Sequence, residues 1–240
     1  MTERKPGELS RDEFRAVILG SYDQIRAEFE TRFGPGIENF VLLAHKAYRR
    51  IQSMESRVPY EERSAWTYQF LFVALNHLAC AFHLHISGFV VPAGNLMRQF
   101  GEAVAMSLLC SHKKIDVLDR FLREGVSFPA HKALQMVRMK RNRNLLGVDG
   151  ERWKQLENIS KFYDHLSHAG LYSASALEIF SHRGDKSLGG AFDSEKVDFY
   201  EREIRRFHSA AMLLLDTVYR CESILNGDGS GKEGGATSHN

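Results

Sequence analysis

Arg98 and Glu102 are the first charged residues after a long uncharged run, and their spacing of four residues places both side chains on one face of a helix. Their neighbours are mostly apolar, so this helix is expected to be largely buried. A buried charge is costly unless it is paired. Two interpretations follow. The side chains pair with each other or clamp a neighbouring loop, or they shape a polar site inside the protein.

A second polar group lies in residues 163–173, whose sequence is YDHLSHAGLYS. His165 and His168 are three residues apart and can share a helix face. Histidine is the usual general acid or base near neutral pH, which makes His168 the candidate catalytic residue. The alternative is that these groups only form hydrogen bonds at a helix end. The candidate ligand-binding residues of this segment are Tyr163, His165, Ser167, Tyr172 and Ser173.

A basic cluster, Arg138, Lys140, Arg141 and Arg143, follows an apolar helical pattern. Such a cluster could bind the phosphate groups of a ligand. The alternative is a solvated helix face. The net charge of the chain is only +2, so its overall charge does not favour a nucleic-acid partner.

The sequence predicts no metal and no cofactor. His83 and His85 face nearly opposite sides of a helix, and His77 lies about two turns from His85, which is poor geometry for a metal site. No Glu-x-x-His pair, P-loop or GxSxG motif occurs. The three cysteines have no CxxC spacing and are expected to be buried, reduced thiols: Cys80, Cys110 and Cys221.

The stretch Ala65–Met97, which contains no Asp, Glu, Lys or Arg, is expected to organise the fold. It predicts a helix to about Ser87 that is buried on all sides, then a turn at Pro92 and a second buried helix from Asn95. Gln, Asn and His side chains interrupt the run, which favours a protein core over a membrane span. The N-terminus has no apolar leader segment, which predicts a cytoplasmic protein.

The remaining sequence predicts further helices and no strand. The Gly34–Gly36 segment, with proline at its centre, is expected to end the first long helix, and Pro129 to open a helix that carries the basic cluster. Ser194 is expected to cap the last long helix. The predicted fold is all-α, a single-domain bundle of about seven helices over residues 1–226, followed by a disordered Gly/Ser-rich tail at 227–240.

Three segments carry a resemblance to a known family. The segments Asn95–Glu102, Tyr163–Ser167 with Ser173, and Gly190–Tyr200 resemble an uncharacterised bacterial branch of the HEPN-like helical proteins, over roughly Ala65 to Leu225. The resemblance implies a helical bundle, commonly dimeric. Many HEPN proteins are metal-independent ribonucleases of toxin–antitoxin and antiviral systems, and others are inactive binding modules.

The chain departs from the pattern of the active members of that family. They carry Arg, then four to six residues, then His on one helix, whereas Arg123 and His131 are too far apart and are separated by Pro129. Leu171 stands where the related branch has a His, and His168 could replace it only by a shift. We therefore expect a non-catalytic module, homodimeric, that binds RNA or a protein partner in bacterial defence or a toxin–antitoxin system. The alternative is a HEPN-like endoribonuclease that needs no metal, with Arg141 or Arg143 holding phosphate.

Overall fold

The structure is a computed structural model that describes residues 10–148, 150–167, 171–178, 180 and 189–227. The predicted tail from residue 228 onwards lies outside these residues. The described ranges form α-helices and short 3-10 turns and contain no strand element, which confirms the all-α prediction. The α-helices are α1 (Arg11–Leu19), α2 (Asp23–Gln52), α3 (Glu62–Ile86), α4 (Val90–Ser111), α5 (Val117–Glu124), α6 (Ala133–Arg138), α7 (Lys140–Leu146), α8 (Gly150–Ser167), α9 (Leu171–Ala176) and α10 (Val197–Leu225).

Helix α4 is the centre of the fold. Fifteen of its 22 residues are buried, because α3, α6, α8 and α10 all pack against it. The helix begins at Val90, earlier than predicted, and Pro92 lies in its first turn. A proline is tolerated there because the first backbone N–H groups of a helix have no partner within the helix. The preceding turn bends at Gly88, whose φ of 83° is accessible mainly to glycine.

Helix α3 lies beside α4 but is not buried on all sides, so that prediction was wrong. Only nine of its 25 residues are buried, all on the face towards the core. Composition indicated that α3 is apolar but could not indicate how much of it other helices cover. The opposite side of α3 is exposed, and we call the residues on it the α3 face: Gln69, Phe72, Val73, Asn76, Ala79, Cys80 and His83.

Helix α2 continues through Pro35, so the predicted break at Gly34–Gly36 was also wrong. Phe29 before the proline and Phe40 after it are both buried in the core, and this packing holds the two halves in one helix. The ring of Phe40 stacks on that of Phe82 of α3, with centroids 3.8 Å apart. Tertiary packing therefore outweighs the helix-breaking tendency of the proline.

Two other helix ends differ from the prediction. The helix expected after Pro129 divides at Met139 into α6 and α7, where the Met136 carbonyl oxygen accepts hydrogen bonds from the Asn142 side chain at 2.8 Å and from the Met139 backbone N–H at 3.3 Å. Before α10, the cap is Asp193 and not Ser194. The Asp193 carboxylate accepts a hydrogen bond from the backbone N–H of Glu195.

Candidate functional site

An open groove lies between α4, α6 and α8, and most of its lining side chains are polar or charged. Its volume is about 440 Å³, which is within the range of small-molecule sites. Three helices supply the lining because α4 places one polar turn, Arg98 to Glu102, opposite the polar faces of α6 and α8. The lining residues are Arg98, Glu102, His131, Leu134, Gln135, Arg138, Glu157, Ser160, Lys161 and Asp164.

Arg98 is the best-connected cation of the groove. Its Nε lies 3.4 Å from Glu102 Oε1, and its Nη1 lies 3.6 Å from Asp164 Oδ1 on α8. The side chains of Arg98 and Glu102 are 31 % and 22 % exposed, so the pair borders solvent. Arg98 therefore pairs with Glu102, as one of the two interpretations expected, and both side chains also line a polar site.

Carboxylates also neutralise the other two cations of the groove. Glu157 Oε1 lies 3.9 Å from Arg138 Nη1 and 3.0 Å from Lys161 Nζ. With Arg98, Glu102 and Asp164, the groove holds three cations and three carboxylates. Its net charge is close to zero when His131 is neutral, which gives no electrostatic preference for a phosphate-bearing ligand.

His131 is the residue that sequence reasoning missed as a site member. It lies in a short 3-10 turn before α6, is exposed, and lines the same groove as Arg98 and Glu102. The search for Arg and His on one helix excluded it, whereas the fold brings the two residues from different elements. A His beside an Arg and a Glu is a combination that can transfer protons and stabilise charge.

Tyr163 and Asp164 of the predicted polar segment lie in different surroundings. Asp164 points to the groove, but Tyr163 lies in the core, where its hydroxyl donates a hydrogen bond to Glu203 Oε2 at 2.8 Å. Burial raises the pKa of Tyr163, and the neighbouring carboxylate of Glu203 raises it further. Arg206 completes this network by donating to the other oxygen of Glu203. The structure gives Tyr163 a stabilising role between α8 and α10.

The other predicted residues of that segment are placed only in part. His165 is exposed in the last turn of α8, and Ser173 is half-buried in α9. Ser167 and Tyr172 belong to α8 and α9, of which the structure describes only the backbone at these two positions. The candidate catalytic residue His168 lies outside the described residues.

The basic cluster is divided between two places. Arg138 lines the groove, whereas Lys140 and Arg141 are exposed on α7, and Arg141 Nη2 lies 3.4 Å from the carbonyl oxygen of Lys114. Arg143 is half-buried, and its Nε has no hydrogen-bond partner within the part of the chain that the structure describes. The division follows from the break at Met139, which turns α7 away from the direction of α6.

The described residues hold no cluster of three or more His, Cys, Asp or Glu side chains suited to a metal ion. His77 and His85, both on α3, are separate and have different environments. Burial lowers the pKa of His77, and Glu102 partly opposes that effect. His85 is fully enclosed by aromatic rings, and burial lowers its pKa to about 3.

The thiols also differ from the prediction. Cys110 and Cys221 are buried, and burial raises the pKa of each to about 12, which keeps both thiols protonated and unreactive. Cys80 is exposed on the α3 face, so the expectation that it is buried was wrong. The described chain therefore presents one accessible thiol, in the middle of an uncharged helix surface.

No protein-family model matches this chain, and neither a curated protein nor a solved structure does. The class that fold and geometry define is an all-helical protein with a charge-balanced groove and an exposed, uncharged helix face.

Proposed function

We propose that this chain is a non-catalytic helical interaction module that forms a homodimer through the α3 face. The observation that carries the proposal is the exposure of this surface in a stretch with no charged residue from Ala65 to Met97. Phe72 and Val73 are 41 % and 40 % exposed. An exposed, uncharged surface that includes large apolar side chains is typical of an interface.

The spacing of the exposed residues favours a helix as the partner. Gln69, Phe72, Asn76, Ala79 and His83 follow one another at intervals of three and four residues, which is the seam pattern of paired helices. Helix α3 has 25 residues, which corresponds to a length of roughly 37 Å. That length accommodates a helix–helix contact over several turns.

A second copy of the same chain is the partner that fits this seam best. An isologous interface places a surface against itself, so a charged surface would repel its copy, whereas the uncharged α3 face does not. The Asn76 amide both donates and accepts hydrogen bonds and can therefore pair with another Asn76. A polar Asn within a helix–helix seam is a known means of fixing the register of paired helices.

A lipid bilayer is the competing partner for this surface. Helix α3 is long and apolar enough to cross a membrane, and 33 % of its most apolar 18-residue window is buried. However, Gln69, Asn76 and His83 lie on the exposed side, and such side chains are costly in hydrocarbon. The polar groups therefore favour a protein partner, and the proposed location is the cytoplasm.

The reactivity of the Cys80 thiol tests the proposal. In a dimer the α3 face is covered, so a maleimide reagent should label Cys80 slowly at high protein concentration and faster on dilution. Cys110 and Cys221 are buried and serve as internal controls that remain unlabelled in the folded chain. Labelling of Cys80 at the same rate across the concentration range would show that the face is uncovered and would contradict the proposal.

A metal-independent, HEPN-like endoribonuclease is the second candidate, and the position of His131 in the groove with Arg98 and Glu102 favours it. In this alternative His131 exchanges a proton with the RNA 2′-hydroxyl or the leaving oxygen. Cleavage of RNA by the purified chain should then persist in EDTA and fall roughly 10²–10⁴-fold in His131→Ala. The charge balance of the groove opposes phosphate binding there, and we expect no cleavage.

Parallel His168→Ala and His131→Ala variants distinguish the two histidines. EDTA-resistant cleavage that only His168→Ala abolishes would assign the chemistry to residues 163–173. Loss of cleavage in His131→Ala alone would assign the chemistry to the groove. Cleavage that survives both changes would point to another site or to a contaminating nuclease.

A further inference from the structure

Several positively charged side chains gather at one end of the bundle, where α4 and α7 terminate. Arg63 Nη1 donates hydrogen bonds to the carbonyl oxygens of Cys110 at 2.8 Å and of His112 at 3.4 Å. Arg220 of α10 donates through its Nε to the carbonyl oxygen of Leu146, the last residue of α7. The carbonyl groups of Cys110 and Leu146 belong to the last turns of α4 and α7, where the helix itself supplies no donor.

Lys114 and Arg141 belong to the same end. Arg141 Nη2 lies 3.4 Å from the carbonyl oxygen of Lys114, so the Arg141 guanidinium lies against the backbone of Lys114. Lys114 and Arg141 are exposed, and Arg63 and Arg220 are half-buried. We call the four residues Arg63, Lys114, Arg141 and Arg220 the basic end.

Carboxylates compensate the charge of the basic end only in part: Asp119 lies near Arg63, and Asp216 lines one pocket with Arg220. Of its four cations, only Arg63 has a carboxylate within 4.0 Å among the described residues, and that group, on Asp119, is 68 % exposed. In the groove, by contrast, every cation is paired. The nearby His112 is affected by these positive charges. Burial lowers its pKa, and Lys114, Arg63 and Arg220 lower it further.

The arginine side chains are held in place and keep donors to spare. Arg220 is anchored through Nε, and its two terminal nitrogens have no hydrogen-bond partner in the described part of the chain. Arg141 contacts the Lys114 carbonyl oxygen through Nη2. An anchored guanidinium loses less conformational entropy on binding an anion than a free side chain does, and its geometry suits phosphate oxygens.

We propose that the basic end binds a ligand that carries two or more adjacent phosphate groups. A single phosphate group carries a charge of about −1.5 to −2 at neutral pH, which neutralises at most two of the four cations. A chain of phosphates neutralises all four. Small oligophosphates and a nucleic-acid backbone share this chemistry, and the site is separate from the charge-balanced groove.

Binding of sodium tripolyphosphate to the full chain, measured by titration calorimetry at low salt, tests the proposal. Lys114→Gln/Arg141→Gln should weaken binding roughly tenfold or more, since it removes two charge-assisted contacts. The matched control is Lys154→Gln/Arg205→Gln, which removes one Lys and one Arg that already pair with Glu151 at 2.9 Å and with Glu201 at 2.8 Å. The control should bind as the wild type does.

A labelled single-stranded RNA distinguishes the two sources of phosphate. If the backbone is recognised, RNA binds as well. The slope of log K against log salt then becomes less steep by about 1.4 in the Lys114/Arg141 variant. Binding of tripolyphosphate without RNA identifies a small oligophosphate. The altered side chains are exposed, so unchanged circular dichroism is expected in both variants.

Four results would overturn the proposal. One is the absence of binding to both probes, and another is equal binding by the wild type and the Lys114/Arg141 variant. The third is an equal loss of binding in the Lys154/Arg205 control, which would indicate non-specific attraction to the total charge of the protein. Binding only to vesicles that contain anionic lipid would also contradict it, because a surface and not a phosphate chain would then be recognised.

Discussion

Replacing His85 with phenylalanine should remove a large part of the sensitivity of this protein to mild acid. The imidazole is 1 % exposed and lies among the rings of Phe29, Tyr200 and Phe207, with centroid distances of 5.5, 6.1 and 5.3 Å. Its Nε2 is buried and has no hydrogen-bond partner among the described residues. A phenyl ring fits an aromatic site of this kind and cannot take up a proton.

The magnitude follows from the pKa of His85, which burial lowers from 6.5 to about 3. Between these values the unfolded chain binds the proton and the folded chain does not, so the free energy of unfolding falls as the pH falls. Above the pKa that His85 has in the unfolded chain, the side chain is neutral in both states and costs the folded protein no stability. At about pH 5 the loss is about 2 kcal/mol for this one group.

Urea unfolding at about pH 7.5 and about pH 5, at one protein concentration, measures the effect. The wild type should lose about 2 kcal/mol more than His85→Phe between the two conditions. His45→Gln, which removes an exposed histidine from α2, should behave as the wild type does. Equal pH dependence in the wild type and His85→Phe would refute the reasoning, because it would mean that the folded protein accommodates the imidazolium.

Three further substitutions test the packing and the groove. Glu203→Ala should lower the free energy of unfolding by about 3–5 kcal/mol, because it leaves Tyr163 and Arg206 without their buried acceptor; a loss below about 1 kcal/mol in urea titration would show that the network contributes little. Arg98→Ala should cost at most about 1 kcal/mol, since solvent screens its ion pairs, and a loss as large as that of Glu203→Ala would show a dry groove. Gly88→Ala should lower the melting temperature, because a Cβ there would lie 2.3 Å from the backbone nitrogen of Ala191; an unchanged melting temperature would contradict the positive φ.

The all-α class and the adjacency of α3 and α4 could be predicted because both depend on composition and periodicity. The uncharged run from Ala65 ensured that the chain would form apolar helices there. The covered side of α3 could not be predicted, because its apolar residues lie on both sides. Phe72 faces solvent and Leu71 faces the core, although the two differ little in hydrophobicity.

The candidate site was predictable only where residues are neighbours along one helix. The spacing of Arg98 and Glu102 indicated their pairing. His131 and Glu157 come from other elements, and only the fold places them in the groove. The polar spacing of Glu157, Lys161 and Asp164 on α8 was a usable signal, because intervals of three and four residues mark one helix face.

The mass of the protein in solution tests the central claim, dimerisation through the α3 face, most directly. Sedimentation equilibrium of the wild type should give twice the chain mass of 27.4 kDa. Val73→Glu, which places a charge opposite its own copy, should give the chain mass itself. Leu122→Glu, a matched change at a residue 39 % exposed on α5, should remain dimeric. A wild type that sediments as a monomer, or a Val73→Glu variant that remains a dimer, would contradict the account.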